Sequence, residues 1–343
     1  MSRRRRRALF AVLVVVCSLA AAIVVLTGVG GDTRARASAR AAAVLPAARA
    51  DRRPVVMFRT AERSRPGAGG QLAIAPLGDP GRRTLGALRC DRVYFAASTG
   101  LCLAAGSGFA AGYRAEIFGA DLRVRHEIAL AGIASRARVS PDGRYGSVTM
   151  FVTGHSYAAA GAFSTETTLL DLARGENIAN LEDFTVTRGG RQVTAEDVNF
   201  WGVTFAADSD RFYATMATGG RTYLVQGSVA RRVAHVIHEN VECPSLSPDG
   251  SRIAYKRRTG SEERPWRLTV LDLATGRETP LAERRSVDDQ AEWLDDDRVL
   301  YGVDGAIWVV RADGRGRPHQ FAAGAGSPAV VRWADRGGRA GAG

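Results

Sequence analysis

The residues best equipped for chemistry sit in "TGHSYAAAG", where His155, Ser156 and Tyr157 follow one another. A Gly-x-Ser-x-Gly turn exposes a serine nucleophile when a strand leads into it and a helix leads out. Here Ala158 replaces the second glycine, and the segment runs on through Ala and Gly into another strand. An exposed loop between strands accounts for it better than an elbow, with His155 and Tyr157 as ligand contacts. A second long segment, "EDFTVTRGGRQVTAEDVNFWGVTF", adds Asn199 and Trp201 as contact candidates, because long loops on rigid scaffolds are where binding concentrates. In "RRSVDDQAEWL", Asp288 and Asp289 lead into a strand, where a carboxylate pair could receive a cation or basic group.

Metal and nucleotide chemistry are poorly supplied. The five histidines are His126, His155, His235, His238 and His319. His235 and His238 lie three apart in a strand-like run, which points their rings to opposite faces. The run Asp295 to Asp297 lacks the ligand order of a calcium loop. "GSGFAAG" misses the dinucleotide fingerprint by one residue and precedes a strand. No cofactor and no metal site is expected.

The elements that must position these residues are short strands. After Arg53 the chain reads "PVVMF", "QLAIAPL", "RVYFAA", "GSVTMFVT", "RIAYKRR", "LTVLDL" and "IWVV", separated by Gly, Asp, Pro and Ser. One turn recurs: Ser140, Pro141, Asp142 and Gly143 follow Val139, and Ser247, Pro248, Asp249 and Gly250 follow Leu246. Degenerate copies follow Phe95, Phe205, Trp293 and Trp333, at successive spacings of 44, 66, 41, 47 and 40 residues. That period belongs to four-stranded propeller blades. Five complete units begin near Cys90, Ala131, Asp197, Asn240 and Ser286. Residues Pro54 to Arg89 hold three strands and lack an inner one, which the C-terminal strand "SPAVVRW" can supply. The expected fold is an all-β, six-bladed β-propeller whose first blade joins both chain ends.

"SLSPDGSRIAYKRR" followed by "LTVLDLATG" is similar to the repeat of the TolB-like propellers. The resemblance is strongest over Leu246 to Gly276, good over Val139 to Gly175, and covers about residues 54 to 334 in all. It implies a six-bladed fold and an extracytoplasmic setting. TolB proteins carry an α/β domain before the propeller; only a linker stands there in this chain. Propellers of this wider group include peptidases and lyases, so the resemblance does not choose an activity.

The N-terminus fits that setting. Arg3 to Arg7 precede an uncharged run from Ala8 to about Gly30, long enough to cross a hydrocarbon core of about 30 Å. Secretory apolar segments are shorter, which favours an uncleaved signal anchor, although "ARASARAAA" leaves cleavage and secretion open. The arginine cluster places the propeller outside the cytoplasm. The expected organisation is a cytoplasmic basic tail at 1–7, a transmembrane signal anchor at 8–30, a linker at 31–53, the propeller at 54–334 and a flexible tail at 335–343. The 343 residues carry a formal charge of +12, almost all from arginine, with Lys256 the only lysine. With a membrane segment present and the charge dispersed, nucleic acid is not an expected partner. Cys90, Cys102 and Cys243 allow one disulfide at most; Cys90 with Cys102 is possible, but a simple hairpin would hold them too far apart. Two functions follow: a membrane-tethered module binding a protein, peptide or envelope glycan, or an exported hydrolase or lyase acting at the channel mouth.

Overall fold

Short apolar runs broken by Gly, Asp and Pro cannot continue as helices, and alternation within each run buries one or both faces of a strand. A computed structural model of the chain describes residues 39–61, 70–106, 112–152 and 164–333. The segments expected at 8–30 and 335–343, and residues His155, Ser156 and Tyr157, lie outside the described residues.

The strands form six antiparallel sheets arranged as a six-bladed propeller. Blade 1 comprises Ala325–Val331, Val55–Thr60, Gly70–Pro76 and Thr84–Cys90. Its inner strand therefore comes from the C-terminal end of the chain, with Val55 opposite Val331 and Met57 opposite Ala329. Blade 2 spans Arg92–Leu130, blade 3 Ile133–Asn180, blade 5 Glu242–Pro280 and blade 6 Glu292–Ala323, each with four strands. Blade 4 begins with Asn199–Phe205 and ends with Val233–Glu239, and two extra strands extend it outward.

The recurring turn has one geometry. In blade 3, Ser140 Oγ accepts from Tyr145 N, Asp142 Oδ1 accepts from Arg144 N, and Gly143 takes a φ of 78°. Blade 5 repeats this with Ser247 on Arg252 N, Asp249 on Ser251 N, and Gly250 at 74°. Glycine is favoured there because most side chains resist positive φ. Blade 4 makes the same turn with Ser209 at 61° in the glycine position and Asp208 accepting from Asp210 N and Arg211 N. Adjacent turns also touch: Asp142 N donates to Ser209 Oγ, and Asp249 N to Asp296 Oδ1.

No blade can bury both faces alone, so the core is distributed between blades. One apolar cluster fills each of the six gaps: Phe95 and Phe118 with Met57 between blades 1 and 2, Val148 with Leu103 between 2 and 3, and Phe212 with Leu169 between 3 and 4. Tyr255 packs with Leu224 between 4 and 5, Tyr301 with Val270 between 5 and 6, and Leu300 with Phe58 between 6 and 1.

Three features differ from the expected organisation. The linker expected at 31–53 contains a helix over 39–50, whose Ala41, Leu45 and Ala48 are buried, with Leu45 and Ala48 joining the cluster between blades 1 and 2. Their spacing of four and three residues makes one helical stripe, but a stripe made chiefly of alanine gives little contrast in sequence. The long segment after Glu182 is not a free loop. Its strands Thr185–Arg188 and Arg191–Gln192 form a hairpin that pairs parallel to Val233–Glu239 and covers the outer edge of blade 4. Open edges invite pairing with other chains, and this hairpin covers one. Cys90 and Cys102 are bonded, with Cα atoms 5.4 Å apart. The hairpin separation estimated from sequence does not apply, because Cys90 ends the outer strand of blade 1 while Cys102 pairs with Val93 in blade 2.

Deleting residues 324–343 removes the inner strand of blade 1 and strips Val55 to Thr60 of one hydrogen-bonded neighbour. We expect a loss comparable to the whole folding free energy of a domain, about 5–15 kcal/mol, read as disappearance of the cooperative thermal transition; an unchanged melt would contradict it.

Candidate functional site

The inner strands of the blades converge on the channel, and what they place there is charged. Arg138 of blade 3 is 5 % exposed and Glu292 of blade 6 is also 5 % exposed. Arg138 Nη1 donates to Glu292 Oε2 at 2.5 Å, and Nη2 donates to Ser245 Oγ of blade 5 at 3.0 Å and to the Ala291 carbonyl at 2.7 Å. The guanidinium lies 4.5 Å over the ring of Tyr94 from blade 2, whose hydroxyl donates to Glu292 Oε1 at 3.2 Å. Val330 N of blade 1 donates to the same oxygen at 3.1 Å. Gln290 Nε2 donates to the carbonyls of Val203 in blade 4 and Pro244 just inside blade 5. Every blade thus contributes to one buried polar layer across the channel. Burial pushes the Tyr94 hydroxyl upward, and the neighbouring Glu292 carboxylate adds to the shift.

This layer separates two mouths. On the side of the repeated turns lies a cavity of about 410 Å³. Its floor is Arg138 and Glu292, its walls include Tyr94, Phe205 and Trp293, and its rim is formed by Pro141, Pro248 and Arg211. Arg138 Nε is buried there without a partner. Trp293 is fixed by its indole N–H on the Ser245 carbonyl and by Arg252 stacked 5.4 Å over its ring. The opposite mouth narrows to a cleft of about 20 Å³ between Arg92, Arg136, Asp289 and Gln290.

The structure separates the residues singled out from sequence. Trp201, offered as a surface contact, is 6 % exposed in the inner strand of blade 4 and is not available as one. Its strand bulges between Trp201 and Thr204. Asn199 is half-buried and bridges blades 3 and 4, accepting from Thr165 N at 3.0 Å and from Ser164 Oγ at 3.2 Å. Asp288 and Asp289 do not act as a pair: Asp288 is exposed and bound by Lys256, whereas Asp289 is buried on the Gly302 N–H. His155 and Tyr157 lie outside the described residues. Among the described residues no three His, Cys, Asp or Glu side chains could share a metal ion. Sequence reasoning missed Arg138 and Glu292. The one available hint was charge inside apolar inner strands.

A second concavity, about 450 Å³, lies between blades 3 and 4 beside Asn199 and is lined by Glu166, Glu182, Asp183 and Glu196. Burial pushes the Glu182 carboxyl up to about 8, against the lowering effect of backbone donors that include Thr167 N.

No protein-family model matches the chain, and no curated protein sequence does. Solved structures share the fold. TolB from Acinetobacter baumannii superposes with a TM-score of 0.55 at 17 % identity, covering 82 % of this chain and 67 % of that one. A chain of a nidogen/laminin complex gives 0.53 at 10 % identity, with 81 % and 98 % covered. The periplasmic gluconolactonase of Pseudomonas aeruginosa gives 0.50 at 14 % identity, with 81 % and 99 % covered. The chain is a six-bladed β-propeller, similar in fold to TolB and to propellers of other functions. A fold shared by such different proteins does not assign an activity.

The Glu182 shift predicts a pH dependence. Its folded value lies above the unfolded value of about 4.3, so the unfolded chain loses its proton first and stability falls as pH rises from about 4 toward 8. Glu182→Gln should remove that fall, raising the melting temperature at pH 8 while leaving it nearly unchanged at pH 4. Equal shifts at both pH values would contradict the assignment.

Proposed function

We propose that the chain is a membrane-tethered, extracytoplasmic binding or scaffold module that holds a segment of a protein or peptide partner in its turn-side mouth. The observation that carries this reading is the mouth itself. At about 410 Å³ it is of ligand-binding size, roughly 300 to 1,000 Å³, and rigid turns build its rim. Its lining includes Arg138, Arg211 and Arg332 with Tyr94, Phe205 and Trp293. Aromatic and arginine side chains around a water-excluding floor are the composition of interface hot spots. Among the described residues lining it there is no histidine or cysteine, and Glu292, its buried carboxylate, is committed to Arg138. That favours binding over hydrolysis or lyase chemistry at this mouth.

The tether rests on sequence: Arg3 to Arg7, then the uncharged run from Ala8. Among the described residues no helix is long and apolar enough to cross a membrane. The helix over 39–50, docked between blades 1 and 2, would connect such an anchor rigidly to the propeller. The resemblance in fold to TolB agrees with an envelope setting, and the nidogen/laminin propeller shows the same architecture in a protein complex.

Crosslinking in intact membranes tests the reading, comparing wild type with Ala207→Glu/Arg211→Glu, two exposed rim positions, after equal melting is established. Capture of one envelope protein should fall about tenfold or more in the variant. Absence of any captured partner with wild type, or equal capture by the variant, would overturn it.

A further inference from the structure

The mouth opposite the turns has a different character. Lys256 is 3 % exposed and Arg136 8 % exposed, yet both are charged groups aimed at the rim. Their shared partner is Asp288: Lys256 Nζ donates to its Oδ1 at 2.6 Å, and Arg136 Nη2 lies 3.6 Å from the same oxygen. The Asp288 side chain is 60 % exposed, and it sits in an irregular stretch before the inner strand of blade 6. Two buried cations are therefore capped by one exposed carboxylate, with Lys256 Nζ also 3.9 Å from the buried Glu242 Oε2.

Arg92 stands beside them. Among the described residues its guanidinium meets no carboxylate in an ion pair; Nε donates to the Ser135 carbonyl and Nη1 to the Asp91 carbonyl. Burial, with Arg136 and Arg59 close by, lowers its pKa to about 10. Arg136 Nε and Arg59 Nε are both buried without a hydrogen-bond partner. Of the other charges at this mouth, Asp289 and Glu242 are already occupied, while Asp91 Oδ2 is buried without a hydrogen-bond partner. Asp289 accepts from Gly302 N, and Glu242 is held by Arg258 and by the indole N–H of Trp266. Asp91 lies next to Arg92.

The balance is informative. Arg59, Arg92, Arg136, Lys256 and Arg258 face Asp91, Asp288, Asp289 and Glu242, which leaves one positive charge in excess. If Asp288 swings outward, two remain, with unfilled donors on Arg92, Arg136 and Lys256. We propose that this mouth is an anion-binding site for a phosphate monoester group, and that Asp288 is its internal occupant, displaced when the dianion binds. The exchange neutralises the mouth completely. Phosphate suits it because arginine donors match phosphate oxygens and a lysine adds a compact charge. The cleft beneath holds about 20 Å³, room for a water-sized group only, so the phosphate sits at the rim in the place of the Asp288 carboxylate. This site is separate from the turn-side mouth and stands or falls independently of it.

Inorganic phosphate is the first probe, titrated calorimetrically against chloride at constant ionic strength. Asp288→Asn should bind phosphate about tenfold more tightly than wild type, because the internal competitor loses its charge, and Arg92→Gln about tenfold more weakly. Arg92→Gln breaks no carboxylate pair, so it serves as the folded control if Asp288→Asn is destabilised by exposing Lys256. Vesicles containing phosphatidic acid, against phosphatidylcholine alone, identify the source: sedimentation with the former, reversed by free phosphate, places the group on a lipid, and binding of free phosphate alone makes the ligand soluble. Equal phosphate affinity in wild type and Arg92→Gln, or weaker binding by Asp288→Asn, would overturn the proposal.

Discussion

The ring is organised around a buried ion pair. Arg138 and Glu292 come from opposite parts of the chain and meet inside the channel, where an unpaired charge would be costly. Burial of such a pair is tolerated when most of the remaining donors and lone pairs are met. Here Tyr94, Ser245, the Ala291 carbonyl and Val330 N meet them from blade 2, blade 5, the residue before blade 6 and blade 1, while Arg138 Nε is left without a partner. Apolar packing between blades is strong but non-directional. The polar layer is directional, and so it sets how far each inner strand advances toward the axis.

Two mouths with different chemistry follow from that layer. On the turn side, one turn geometry recurs in blades 3, 4 and 5, and neighbouring turns are linked by hydrogen bonds. The cavity they enclose joins aromatic walls to an arginine floor. On the other side the strands begin, and buried cations gather under an exposed aspartate. With the polar layer between them, the two mouths face opposite ends of the channel.

The sequence shows local devices clearly and distant ones hardly at all. The turns at Ser140 and Ser247 are legible because each residue type serves a hydrogen bond within five positions. Ser209 in the glycine position of blade 4 still follows, because Asp208 supplies the same local acceptor. Repetition of that unit gives six blades. By contrast, the partner of Arg138 is 154 residues away, and no local pattern marks it. Trp201 reads as a contact because its segment is long, yet that excess length forms an edge hairpin and leaves the tryptophan buried. Cys90 and Cys102 look mismatched in one hairpin and meet because a blade boundary falls between them. Asp288 was visible as a carboxylate near the channel; that its cations are internal required the fold.

The most direct test of this account is a double-mutant cycle on Arg138→Met and Glu292→Leu, read by urea unfolding. The account predicts that each single change costs about 3–5 kcal/mol, because the remaining charge is stranded, and that the pair together costs less than the sum by roughly 1 to 3 kcal/mol. Additivity within about 0.5 kcal/mol would mean that the two residues do not depend on one another, and the polar layer would then not be what holds the ring in register.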